Sequence, residues 1–309
     1  MNRGGAQWYP SAEVLVTLNQ ADNATTYISS EQRQVRRVVR DLIRGRELLL
    51  GLVWKDLRAR YRYAVMGFLW AVLEPLALMA ILTFVFTFVF AGRADGIGGG
   101  EGPPYAIMLL CGLIFWQYFA AAISSATLSL VDHQNLVKKV YFPREVVPLA
   151  SVCFPLVNLG IGLLTLLILH VAFGGALGFG LLWFPVVFSL QFTMMVGLAL
   201  LLSCGHVLFR DVGNMVQVAI MFGFYASPVF YPLDFVRQAA ERGAVPTWMY
   251  ALYRLNPMAG LLTAYRQVLF ELRFPDPALL VWPGLVALSF LALGVVLFRR
   301  SAPTLSDYL

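Results

Sequence analysis

The sequence predicts an all-α polytopic membrane protein, and three observations carry that prediction. Hydrophobic residues make up 59% of the chain and charged ones 13%, with a mean hydropathy of +0.72. Soluble domains carry about 25% charged residues. Six apolar stretches, 64–92, 105–131, 146–173, 181–209, 212–232 and 278–298, hold about half of the 309 residues. Within all six the single formally charged side chain is Glu74. A helix needs roughly 20 apolar residues to cross a hydrocarbon core. Barrel strands would alternate polar and apolar residues in pieces of about 10, whereas these runs are continuous. Each is therefore expected to be a helix that satisfies its own backbone in lipid. Six transmembrane helices follow.

The elements read in order from the N-terminus. Residues 1–45 form an N-terminal cytoplasmic extension, ending in a basic pattern over 31–45, with no apolar run suited to a cleaved secretory signal. Residues 46–63 place Leu50, Val53, Trp54, Leu57 and Tyr61 on one stripe, opposite Lys55, Asp56, Arg58 and Arg62. This predicts an amphipathic interface helix at the headgroup level, where Trp and Tyr settle and Arg meets anionic lipid. The Gly- and Pro-rich 92–104 is a loop, and 209–211 is almost a hairpin turn. Between the fifth and sixth stretches, residues 244–273 are too apolar for an ordinary loop and are broken at Pro246 and Pro257. Short re-entrant helices are expected there. Residues 299–309 are a tail. With a cytoplasmic N-terminus, 17 of the 23 Lys and Arg lie inside and 6 outside. This fits the positive-inside rule and puts both termini in the cytoplasm.

The chemistry is sparse. No GxxxxGK[ST] phosphate loop is present, and the only lysines are Lys55, Lys138 and Lys139. The chain is not expected to be catalytic alone: nucleotide hydrolysis has to come from a partner. Paired intramembrane carboxylates, the mark of ion-coupled carriers, are missing. Glu74, followed by Pro75, reads either as a gating or packing contact at a kink or as a shielded acid. His133, His170 and His206 have no companions at ligand spacing, so no metal is expected. Cys111, Cys153 and Cys204 lie apart inside apolar stretches and read as small hydrophobes. Trp116, Gln117, Tyr118 and Phe119, with Phe222 and Tyr225, mix aromatic faces with hydrogen-bonding groups, which suits sugar rings as well as a membrane aromatic belt. Residues 132–148 interleave Leu136, Val137 and Phe142 with Lys138, Lys139 and Arg144, a pattern that fits a groove on another protein.

Several segments together resemble the ABC-2 type permeases that export O-antigen, capsular polysaccharide or teichoic acid. They are LVWKDLRARYRYAVMGFLWAVLEPL (52–76), GLIFWQYFAAAISSATLSLVDHQNLVKKVYFPREVVPLASV (112–152), LFRDVGNMVQ (208–217), ASPVFYPL (226–233) and LNPMAG (255–260). The resemblance covers roughly 50–309 and leaves the N-terminal extension outside. It implies a homodimeric permease in the bacterial inner membrane, joined by two separate nucleotide-binding subunits that bind ATP and Mg. It also implies a channel for a lipid-linked polysaccharide. By the same resemblance, Leu136 to Arg144 belong to the ATPase-coupling region, with Arg210 and Asp211 in a second loop facing the ATPase. Trp54 to Arg62 belong to the interface helix. A small-molecule or drug exporter of the same architecture is the alternative. A membrane-embedded transferase would need a clustered acid/base set, which the sequence lacks, and no pattern suggests nucleic-acid binding.

Overall fold

The computed structural model describes residues 45–62, 67, 69–89, 104–139, 142–302 and 305–308. Most of the N-terminal extension and of the 92–104 loop lies outside them. The chain divides into two units, Met1–Glu47 and Leu48–Leu309, and the packing below is internal to the second.

The described elements are helical. α1 (Arg46–Tyr61) is a helix over the residues expected to be one, with Glu47 in its first turn and Arg58 and Arg60 in its last, signs that complement the helix dipole. α2 (Leu69–Phe84) contains Pro75 and widens into a π-helical turn over Val85–Val89. α3 (Tyr105–Asp132) matches its apolar stretch almost residue for residue. A short α4 (Gln134–Lys139) follows. α5 (Val146–Cys153) and α6 (Leu156–Ala172) share one apolar stretch, interrupted around Pro155. A 3₁₀ turn, Phe179–Trp183, leads into α7 (Phe184–Leu208). Then come α8 (Val212–Tyr225), α9 (Leu233–Glu241), α10 (Thr247–Arg254), α11 (Pro257–Leu269), α12 (Pro277–Ser301) and α13 (Leu305–Tyr308).

Among the described residues, five segments are long and apolar enough to cross a membrane: Leu69–Thr87, Tyr105–Asp132, Val146–Ala172, Phe179–Leu208 and Pro277–Ser301. The expected fifth span over 212–232 is shorter than the sequence suggested. α8 has 14 residues, about 21 Å at 1.5 Å per residue, and the chain from Ala226 to Pro232 is unwound. The expected short helices in 244–273 are present as α10 and α11. α10 buries no side chain, whereas α11 buries most of its length, Tyr265 completely. α9 is an additional, amphipathic helix on which Arg237 pairs with Asp234 at 3.1 Å.

α3 is the hub. It buries 16 residues between Ile107 and Leu130 and packs against α2, α5, α6, α7, α8 and α11. The most extensive helix pair is α7 with α12. Two glycines explain how close that pair comes: a Cβ on Gly197 would lie 2.4 Å from the Leu291 backbone nitrogen, and one on Gly294 would lie 2.3 Å from the Gly197 carbonyl oxygen. Between membrane helices, where hydrophobic driving force is weak, such backbone contact supplies the van der Waals attraction. Phe115 and Tyr265 stack at 3.6 Å deep in the core, and Gln191 locks them by accepting from the Tyr265 hydroxyl (2.7 Å) and donating to the Phe115 carbonyl (3.2 Å).

Candidate functional site

Four groups of side chains carry chemistry. The first gathers at the basic end of the bundle. α4 turns Val137 inward, 4% exposed, and leaves Lys138 and Lys139 outside. Leu136, Phe142 and Arg144 are half-buried. Among the described residues of the 132–148 connection, Val137 is an anchor and the exposed ones, Asp132, Gln134, Asn135, Lys138 and Lys139, are polar. Its far end is clamped to the end of α12: Arg144 donates to the Ala302 carbonyl, and Arg299 faces Glu145 at 3.8 Å. Arg210 and Asp211 are exposed in the α7–α8 turn, which His206 closes by accepting the Gly213 N–H at 3.2 Å.

α1 joins the same end. Trp54 and Leu50 are exposed, 61% and 57%, while Leu52 is the side chain it buries. Lys55 and Arg58 are exposed, as expected. Asp56 is the exception, because periodicity placed it on the solvated face. It is half-buried and stands 3.6 Å from His133 Nε2, at the C-terminus of α3. That is beyond hydrogen-bond length but within ion-pair range. His133 Nδ1 meets the Ser129 carbonyl at 3.0 Å. The Asp56 carboxylate, with help from that carbonyl, raises the His133 pKa above its ordinary value against the opposing effect of burial.

The second group is a cleft of ≈ 280 Å³ bounded by α2, α3 and α6 with the end of α1. Glu74, Gln117 and Tyr118, singled out separately in the sequence, line it together. Arg60, Ser124 and Asn158 complete the polar lining. Tyr61 reaches across from α1 and donates its hydroxyl to Asn158 Oδ1. Sequence reasoning passed over Asn158, whose only signal was an amide inside an apolar run.

The third group comprises the remaining aromatics, and the structure divides them. Trp116 is 5% exposed and seats on α8, where a Cβ on Gly223 would fall 2.8 Å from its ring. It packs with Phe119 at 5.4 Å and Phe224 at 6.0 Å. Phe222 and Tyr225 point away, 65% and 64% exposed, on one α8 face with Met215 and Val218. Tyr118 faces elsewhere, stacking toward Phe188 at 6.1 Å, as a rotation of about 200° from position 116 requires.

The fourth group is a clasp around the unwound segment 226–232. An unwound backbone inside a bundle must find partners for its carbonyls. Here side chains supply them. Asn256 donates to the Ala226 carbonyl (3.1 Å) and the Ser227 hydroxyl (2.8 Å), while its own oxygen caps α11 at Met258 N (3.0 Å). Arg266 donates to Val229 O (2.8 Å) and Tyr231 O (3.1 Å), and Tyr105 to Phe230 O (2.9 Å). Gly112 makes the room: a Cβ there would sit 2.5 Å from Val229 O. Tyr253 donates to the Tyr231 hydroxyl at 3.2 Å.

Comparison with known proteins decides the family. The ABC-2 type transporter family model matches residues 47–270. The O-antigen export system permease protein RfbA of Myxococcus xanthus is 32% identical over 78% of this chain and 86% of its own. RfbA of Klebsiella pneumoniae is 24% identical over 82% and 92%, and the polysialic acid transport protein KpsM of Escherichia coli 21% over 80% and 91%. The chain belongs to the ABC-2 type transporter family.

The family match runs from the start of α1 to the end of α11 and so includes the second, third and fourth groups of this ABC-2 chain, and the first apart from Arg299 and Ala302 at the end of α12. Among the described residues no cluster of three or more His, Cys, Asp or Glu could hold a metal. The other histidines have structural partners: His170 Nε2 meets the Ala176 carbonyl at 3.2 Å and its ring packs on Phe270.

Proposed function

We propose that this chain is the transmembrane permease subunit of an ABC transporter that exports a lipid-linked polysaccharide, an O-antigen or related cell-surface glycan. The observation that carries the reading is its 32% identity, across 78% of the chain, to a protein named as an O-antigen export permease. The subunit works as a homodimer in the bacterial inner membrane, with both termini in the cytoplasm. ATP and Mg are bound by two separate nucleotide-binding subunits.

Several features support this assignment. The basic end of the bundle, with Lys138, Lys139, Arg144 and Arg210, suits the cytoplasmic side and the ATPase contact. Val137 there anchors the coupling loop, so the contact itself falls to Leu136, Phe142 and the exposed lysines. The exposed α8 face with Phe222 and Tyr225 suits a second protomer and a conduit in which sugar rings stack weakly and move on. α10 and α11 form the re-entrant region at the outer face. A sequence without a GxxxxGK[ST] motif supports a reading in which a partner hydrolyses the nucleotide.

Deletion of the gene tests the reading, with glycan measured separately in the cytoplasm and at the cell surface. Intracellular accumulation of lipid-linked glycan with loss from the surface is the expected result. An unchanged surface glycan, with new sensitivity to a small toxic compound, would transfer the protein to the drug-exporter class.

A further inference from the structure

The cleft between α2, α3 and α6 holds two formal charges of opposite sign that do not meet. Arg60, from the end of α1, and Glu74, from α2, both line it with exposed side chains, the Arg60 guanidinium lying 5.7 Å from the centre of the Phe154 ring. Neither takes part in any ion pair among the described residues. Gln117, Ser124 and Asn158 add amide and hydroxyl groups to the same wall, and the volume of ≈ 280 Å³ is close to that of small-molecule sites, about 300 Å³ upward. The helices that flank the cleft carry exposed hydrocarbon: Ile81 and Phe84 on α2, Leu164 and Ile168 on α6.

An occupant has to answer all of this at once. A simple anion would satisfy Arg60 and be repelled by Glu74, and a simple cation would do the reverse. A sugar would bond the amides but leave both charges without counter-ions. A short zwitterion attached to hydrocarbon fits each feature. We propose that the cleft binds a zwitterionic membrane phospholipid bearing a primary amine. Its phosphate lies on Arg60, its ammonium on Glu74, and its acyl chains run along α2 and α6. Three N–H donors on a primary ammonium match the Glu74 carboxyl, the Gln117 carbonyl oxygen and the lone pair that Asn158 Oδ1 keeps after accepting from Tyr61. Charge-assisted bonds of this kind are the stronger ones. The bound lipid would tie α1 to α2 through its headgroup, with no side-chain contact between Arg60 and Glu74. The site does not depend on which cargo is exported.

Native mass spectrometry of the purified full-length chain tests this without any transport step. Dioleoyl phosphatidylethanolamine, phosphatidylcholine and phosphatidylglycerol are offered at equal concentration. Expected is retention of one phosphatidylethanolamine per protomer, about tenfold better than phosphatidylglycerol, which lacks the amine. Phosphatidylcholine, charged but without N–H donors, falls between. Glu74→Gln should bring phosphatidylethanolamine down to the phosphatidylglycerol level, whereas Arg60→Gln should weaken both. Ser124→Phe, which fills the cleft and leaves both charges in place, should abolish selective retention. Equal retention of phosphatidylethanolamine and phosphatidylglycerol by the unmodified protein overturns the proposal. So does undiminished selectivity in a folded Glu74→Gln or Ser124→Phe protein. The unmodified comparison decides even if a variant does not fold.

Discussion

Two proline-bearing apolar stretches meet opposite fates in this molecule. In 146–172 the chain breaks at Pro155 and resumes at once as α6, with local bonds from Phe154 N to Ala150 O (2.8 Å) and from Leu159 N to Pro155 O (3.0 Å) spanning the interruption. In 212–232 the helix stops at Tyr225 and does not resume before Leu233. The difference lies in who pairs the backbone. A single proline removes one donor and disturbs one carbonyl, so the neighbouring turns absorb the loss. An unwound run of several residues exposes a row of carbonyls, and Asn256, Arg266 and Tyr105 must come from other elements to meet them. One break is a local adjustment, and the other exists only because the tertiary structure holds it.

Variants that remove the clasp should therefore cost most. Arg266→Ala takes the donor from the buried Val229 O and the half-buried Tyr231 O and opens a cavity, and it should lower stability by about 3 kcal/mol. The check is apparent thermal unfolding of the purified protein; a shift no larger than that of an exposed control would mean that the segment pairs itself. Asn256→Ala loses the α11 cap and two donors and should cost about 1–2 kcal/mol. Limited proteolysis within 226–256 should accelerate in step. Pro155→Ala, by contrast, restores a helical N–H and should stay within about 1 kcal/mol of the parent. A large loss there would erase the distinction between the two breaks.

The smallest expected effect is the pH response of the Asp56–His133 contact, which ties α1 to the end of α3. Its folded-state pKa is raised above the ordinary 6.5. The stabilisation is thus fully present below pH 6.5 and fades as pH rises through the folded value. Melting temperature followed across that window should decline by an increment that Asp56→Asn abolishes. An identical slope in the variant would assign the titration to another group.

The same contrast shows what the sequence could reveal. The bounds of α3 were legible because Pro104 and Asp132 frame an uninterrupted apolar run. The end of α8 was not, because hydropathy is blind to whether apolar residues are coiled or unwound. The cluster Ser227, Pro228, Pro232 was the available hint. Helical periodicity found α1 but misplaced Asp56, since its partner His133 is distant in sequence and nothing in an amphipathic stripe announces it. The apolar character of Val137 suits a groove contact, and only packing shows that it is spent inside the protein. Glu74 and Gln117 each drew notice, yet their shared cleft required three helices to converge.

The backbone contact between Gly197 and Gly294 has a mechanical meaning. Where two helices touch through side chains, rotamer changes let them slide or tilt by small steps. α7 and α12 have no such cushion at their crossing, so they are geared together and turn as one stiff strut. Any rearrangement that widens a path through the bundle must be taken up elsewhere. α2, with its π-helical turn, has the least cover of the five long apolar segments, so a displacement there disturbs the fewest contacts.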